Sequence, residues 1–325
     1  MAAPPPPHRW SVVVARVASI DIRVHVTFLL LVALFAFTAP EPGVSGVAWS
    51  LLWLVVLFAS VVVHELAHSL VARRKGGVVH EILLFPLGGI SKLERLPETP
   101  RDELEIAAVG PLTSLAIGVG ALVLGTALGR AVLPIDLLDG AWLMRIAWLN
   151  LILGAFNLIP AFPLDGGRVL RAFLERRRDL LTATRIATRV GHTLAAMLIV
   201  AGVLFDVWLA LIGIFVYLGA SAEEAGTIAH ERLRGHRVRE MTVQAPNLAS
   251  PGAGVPADDS VAIDAPIDLD LLARLEQHHG SLVVVEDDAP VGLLLLADVG
   301  RLLAPPPSTG PARRNATPAG PEPAG

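Results

Sequence analysis

The chain has 325 residues, 53% of them hydrophobic and 17% charged. A soluble domain carries about 25% charged residues, so this balance excludes an ordinary soluble globular protein and points to membrane spans. Cysteine is absent and the net charge is −4 with a single tyrosine, which excludes disulfides, thiolate metal sites and cysteine nucleophiles and argues against a nucleic-acid surface.

Residues 1–10 are Pro-rich and read as disordered, without the compact basic region and apolar run of a cleaved signal peptide. Residues 11–24 are β-branched and read as one short strand. Low-charge stretches then recur at Val24–Pro40, Pro42–Val63, Ile106–Gly129, Ile146–Leu164, Val190–Phe205 and Val207–Ala222. With about 17–25 apolar residues per crossing, these predict six transmembrane helices, the first of marginal length. The last two are separated only by Asp206, and a hairpin is favoured over one long helix. Basic residues cluster before the first span, between the second and third, between the fourth and fifth, and after the sixth; the other side has only Arg130 and Arg145. The positive-inside rule therefore places both termini in the cytoplasm of a multi-pass cell-membrane protein.

Residues 78–97 carry Pro86 and Gly88-Gly89 and predict a membrane-associated β-hairpin at the cytoplasmic face. The fold class expected is thus an α-helical polytopic membrane protein with a short hairpin and a small α/β cytoplasmic tail. Its parts are a membrane domain at 11–222, a linker at 223–240, a tail domain at 241–304 and a disordered tail at 305–325. In the tail domain, Leu269–His279 and Ala297–Leu303 fit helices, Ser281–Glu286 and Val291–Leu296 fit strands, and 243–263 is loop-like. Gly118, Gly120, Gly125 and Gly129 in the third span suit close helix packing.

The strongest chemical feature is His64-Glu65-Leu66-Ala67-His68. On a helix, positions i and i+4 share a face, so both imidazoles can grip one zinc ion while Glu65 takes a proton from water. The motif ends a 22-residue uncharged stretch, and ionisable groups inside a span are costly enough to imply function. His64 precedes Arg73 by nine residues, about 13 Å along a helix, which puts the metal inside the bilayer but nearer the cytoplasm. A third ligand is needed. Asp165 is the best candidate, in the sequence Asn157-Leu-Ile-Pro160-Ala-Phe-Pro163-Leu-Asp165-Gly166-Gly167, where both prolines interrupt the fourth span. The plain alternative for Asp165 is a cap on the next helix.

At these residues the chain resembles the site-2 protease family of intramembrane zinc metalloproteases. The shared pattern is H-E-x-x-H followed by N-x-x-P-x-x-P-L-D-G, met here by His64, Glu65, His68, Asn157, Pro160, Pro163, Leu164, Asp165 and Gly166. Gly110-Pro111 and Phe85-Pro86-Leu87-Gly88-Gly89 are also similar, and the likeness covers about residues 10–222. The resemblance implies one Zn2+ per chain on His64, His68 and Asp165, Glu65 as general base, and Asn157 as a substrate-binding residue. It implies peptide-bond hydrolysis in or near the transmembrane segments of membrane-protein substrates, with the 78–97 hairpin capturing the unwound peptide. The tail, from Val238-Arg239-Glu240-Met241-Thr242 through Ser281 to Asp298, resembles a lone CBS motif. Such motifs work in pairs that bind adenine nucleotides. A homodimer through the tail is therefore expected, with a second copy covering Leu282–Val285 and Leu293–Leu296; a lone motif favours such dimer contacts over an adenine nucleotide at the shared cleft. The rivals from other classes are a zinc transporter, which wants ligand sets along a path, and a catalytically inactive membrane scaffold, against which the intact Glu65 argues.

Overall fold

The computed structural model describes residues 10–38, 43–86, 88–93, 99–132, 141–244, 259–287 and 289–304. Of the segments expected to be disordered at 1–10 and 305–325, residues 1–9 and 305–325 lie outside the described residues, as does most of the 246–260 loop. The chain forms two units, residues 1–225 and 226–325.

The first unit opens on strands β1 (Ser11–Val17) and β2 (Ile20–His25). The single strand expected at 11–24 is in fact a hairpin: Ala18 and Ser19 both take positive φ, the geometry of a tight two-residue turn. Arg16 and Asp21 pair beside that turn. The overlooked signal is the alternation of Ile20, Ile22 and Val24 with Asp21 and Arg23. The hairpin expected at 78–97 is present as β3 (Val79–Phe85) and β4 (Gly88–Leu93). It does not stand alone. β3 pairs in parallel with β2, giving one four-stranded sheet of order β1-β2-β3-β4. Its buried residues Ile20, Ile22, Ile82 and Leu84 share a core with Phe58, Ala72 and Ile106 of two adjacent helices.

Between the paired hairpins run α1 (Phe28–Phe37) and α2 (Val44–Arg74); after them come α3 (Pro100–Ala127), α4 (Trp142–Asn157), α5 (Asp165–Leu174), α6 (Leu180–Leu204) and α7 (Val207–Leu233). Four of these, α2, α3, α6 and α7, are long and apolar enough to cross a membrane. Of the six spans expected, α1 and α4 are short. α1 has 10 residues and α4 has 16, or about 15 and 24 Å, short of the roughly 30 Å hydrocarbon layer. The stretch 146–164 is not one helix either. α4 ends at Asn157, because Pro160 and Pro163 cannot continue it, and α5 starts at Asp165. The break at Phe205-Asp206 makes α6 and α7 a hairpin: a Cβ on Gly202 would meet Ala210 and one on Gly213 would meet Ile199.

α3 is the central helix. Thr99 caps its N-terminus by accepting from the Asp102 N–H, and Pro100 occupies its first turn. A Cβ on Gly118 would stand 2.8 Å from the backbone of Leu151, and one on Gly154 would stand 2.8 Å from the Pro111 carbonyl. These two glycines let α3 and α4 pack backbone to backbone. Gly125 similarly admits Met144, whereas Gly120 meets nothing and Gly129 simply ends the helix with φ +72°.

The second unit contains α8 (Val238–Met241), β5 (Val243–Gln244), β6 (Ser260–Ala262), α9 (Leu269–Gln277), β7 (Ser281–Glu286), β8 (Ala289–Leu295) and α10 (Leu296–Leu303). Its sheet runs β5-β8-β7-β6, with β6 parallel to β7. Two expectations change here. Residues 223–240 are not a plain linker: α7 continues to Leu233, and Leu233 and Val238 are buried in the tail's own core. The strand residues expected to need cover from a second copy, Leu282, Val284 and Leu294, are already buried in that same core with Leu271, Leu275 and Val299.

Candidate metal centre

His64 and His68 lie one turn apart on α2 and are 3% and 9% exposed. Both Nε2 atoms face the same carboxylate oxygen of Asp165, at 3.0 Å from His64 and 3.2 Å from His68, and lie 3.2 Å from each other. Among the described residues these three form the group able to hold a metal ion. His68 Nδ1 donates to the Ile106 carbonyl at 2.6 Å. With Nδ1 so engaged, Nε2 is the nitrogen that faces Asp165 and His64. Ligand atoms converging in this way call for a shared cation. The triangle's edges suit zinc, because tetrahedral ligands at about 2.0–2.1 Å lie about 3.3 Å apart.

The elements that aim these groups can be traced residue by residue. His64 Nδ1 bonds the Ser114 hydroxyl at 3.0 Å, and Ser114 is 1% exposed on α3. The rings reach α3 because Gly110 is bare: a Cβ there would fall 2.1 Å from His68 Nε2. Asp165 stands in the first turn of α5 with its carboxylate turned to the histidines, so it is both a helix start and a member of the cluster. The 158–164 segment folds back over that turn. A Cβ on Gly166 would sit 2.2 Å from the Ile159 carbonyl and one on Gly167 2.5 Å from the Phe162 N, so both positions require glycine. α6 and α7 close on the same segment through Gly191, against the Phe162 carbonyl, and Gly219, against Pro163.

α5 is itself anchored by charge. Arg171, 8% exposed, donates to Glu103 on α3 through Nε at 2.8 Å and through a second nitrogen, and to Glu223 on α7 at 3.4 Å. Arg168 approaches the other Glu223 oxygen at 3.9 Å. Arg171 also lies 5.1 Å from the centre of the fully buried Phe162 ring. Removing one partner of such a buried pair costs about 3–5 kcal/mol.

Glu65 follows His64 on α2, half-buried, and stands outside the three-residue group. β4 lies against it: a Cβ on Gly89 would be 2.7 Å from Glu65 Cγ. Asn157 is not brought into the cluster; its amide donates to the Leu153 carbonyl at 3.0 Å on its own helix. A deeply buried polar residue of α4 is Asn150, 1% exposed, which donates to Ser60 at 3.1 Å one turn before His64. Sequence reasoning missed it, although an amide inside an uncharged stretch is the kind of residue that marks a site. It also missed Ser114, Glu103 and Arg171. Glu103 and Arg171 flank apolar stretches and read as ordinary interfacial charges, and Ser114 has no signal in sequence at all.

Comparison with known proteins fits this geometry. The model of peptidase family M50 matches residues 52–133 and 141–199. A zinc metalloprotease of Methanocaldococcus jannaschii is 33% identical over 292 residues, covering 89% of this chain and 79% of that protein. The chain belongs to the site-2 protease family, peptidase family M50. The zinc metalloprotease Rip3 of Mycobacterium tuberculosis is 36% identical over 259 residues, 74% of this chain and 65% of its own length. The solved site-2 protease of M. jannaschii superposes with a TM-score of 0.51 at 36% identity, over 66% of this chain and 95% of that one. The protein is accordingly a zinc metalloprotease with a site-2 protease fold, which sets the transporter alternative aside. Among the described residues one ligand group is present, where a transport path would need several.

Metal affinity tests the supporting shell. In a competition titration against a chromogenic chelator, Ser114→Ala should weaken zinc binding by about 10–100-fold, as loss of a histidine's outer partner does. Arg171→Ala should lower zinc content by freeing α5. Thr113→Ala, whose hydroxyl bonds only its own helix at Val109, should leave zinc unchanged.

Proposed function

We propose that His64, His68 and Asp165 hold one Zn2+, that Glu65 is the general base, and that the protein cleaves peptide bonds in or beside the transmembrane segments of membrane-protein substrates. The observation that carries this reading is the 3.0–3.2 Å triangle of acceptor atoms on α2 and α5. A zinc ion held by His64, His68 and Asp165 would supply Lewis acidity for the scissile carbonyl and for water. Glu65, next to His64 in sequence, is placed to take a proton from an attacking water and return it to the departing amine. The Ile106 carbonyl and Ser114 keep both imidazoles oriented throughout. Asn157, at the end of α4, remains the proposed contact for the substrate backbone; a change of rotamer would release its amide from Leu153.

A helical substrate hides its carbonyls and must be held unwound. β4 ends the sheet's strand order and passes over Glu65 at Gly89, which supports capture of an extended peptide by strand addition. Glu65→Gln should keep its zinc and lose about 10²–10⁴-fold in cleavage of single-span substrates, the range for general acid–base catalysis. Asp165→Ala should lose zinc and activity together. Near-normal cleavage by Glu65→Gln would remove the mechanism.

We further read six crossings, with α1 and α4 completed by flanking residues and both termini cytoplasmic. The supporting observations are the apolar character of both short helices and the clustering of arginines. Because the chain has no cysteine, Gly43→Cys should label with an impermeant thiol reagent from outside and Gly76→Cys should not. The reverse result inverts the orientation.

For the tail, pairing with a second copy and an adenine nucleotide at the shared cleft rest on the resemblance to a lone CBS motif, since one copy buries its own core. Deleting residues 226–325 should convert a dimer to a monomer by light scattering in detergent while leaving zinc content intact. Equal oligomeric state in both proteins ends the dimer reading.

A further inference from the structure

Beside the segment that leads to Asp165 lies a groove of about 360 Å³, walled by Pro160 and Ala161 on one side and by Arg189, Thr193, Leu194 and Met197 of α6 on the other. Its lining is almost wholly apolar except at the Arg189 end. The two neighbouring arginines of α6 differ. Arg185 pairs with Glu224 of α7 at 3.8 Å. Arg189 is exposed, and among the described residues its guanidinium has neither an ion pair nor a hydrogen bond.

We propose that this groove binds an anionic phospholipid, one acyl chain lying along α6 and the phosphate on Arg189. Shape and chemistry both favour this occupant over a peptide. From Arg189 to Met197 α6 rises about 12 Å, and the groove runs along that length. A helix about 10–12 Å across is too bulky to be enclosed in it. An extended peptide would find few free hydrogen-bond donors along the walls away from Arg189. Pro160 has no N–H, the Ala161 N–H is bonded to the Ile159 carbonyl, and the Thr193 hydroxyl donates to the Arg189 carbonyl at 2.9 Å. Inside a bilayer, backbone groups left unbonded there are prohibitively costly, whereas an acyl chain asks for none. Arg189 is the last charged residue of α6 before its uncharged stretch Val190–Leu204, the boundary at which headgroup phosphates lie, and basic pockets beside membrane helices select anionic headgroups. The lipid would brace the 158–164 segment from its outer side.

The test uses the full chain in detergent mixed with equal phosphatidylglycerol and phosphatidylcholine of identical acyl chains, with bound lipid counted by native mass spectrometry. Wild type should retain phosphatidylglycerol over phosphatidylcholine by about fivefold, the factor one basic side chain provides. Arg189→Gln should remove the preference, and Thr193→Trp, which fills the groove, should remove the retained lipid; both should keep normal zinc content. Benzoylphenylalanine at position 193 should crosslink to lipid upon irradiation. A preference surviving in Arg189→Gln, lipid retention surviving in Thr193→Trp, or a crosslink to a substrate's transmembrane segment instead of lipid would each overturn the proposal.

Discussion

His64, His68 and Asp165 bring two ring nitrogens and a carboxylate oxygen to about 3 Å from one another, an arrangement that one shared cation would satisfy. The membrane unit has to hold the three against the cost of burying them. It does so with hydrogen bonds that leave the histidines few alternatives. The Ile106 carbonyl and the Ser114 hydroxyl take the outward nitrogens, each bond contributing about 0.5–1.5 kcal/mol and also fixing which nitrogen faces inward. Asp165 lies 101 residues from His64, and its position is set through α5 as a body. Arg171 ties that helix to Glu103 and Glu223, so the ligand geometry and the ion-pair network are one mechanical system.

How much of this was legible follows from the range of each interaction. The His64–Glu65–His68 face is local, since helical spacing alone puts the two rings together. Asp165 was legible because two prolines must interrupt α4 and leave a polar residue beside them. The length of α4 was not, because apolar composition continues to Leu164 after the helix has ended at Asn157. Ser114 and Arg171 were invisible for a different reason. Each acts through distant partners, Ser114 on His64 50 residues away and Arg171 on Glu103 and Glu223 68 and 52 residues away, and a serine or an arginine near an apolar run is otherwise unremarked.

The sheet and the tail give the complementary lesson. The β3–β4 hairpin could be read from Pro86 and Gly88-Gly89, but the parallel pairing of β2 with β3 joins strands separated by two helices. No local pattern announces such a pairing. In the tail, strands and helices follow their periodicity closely. The error there lay in where the unit starts, because Leu233 is an ordinary residue of a long helix in sequence and a core residue in space.

The bare backbone of Gly110 has a consequence for relatives of this chain. A single methyl group there would overlap His68 Nε2, and no rotation of the ring relieves the overlap while Ile106 holds its other nitrogen. A protein of this fold could keep His64, Glu65, His68 and Asp165 and still be unable to take up metal in this geometry, by one substitution four residues from Ser114. Judging whether such a chain is an enzyme from its His, Glu and Asp residues is therefore incomplete: the empty space beside α3 is as much a part of the centre as the atoms that bind.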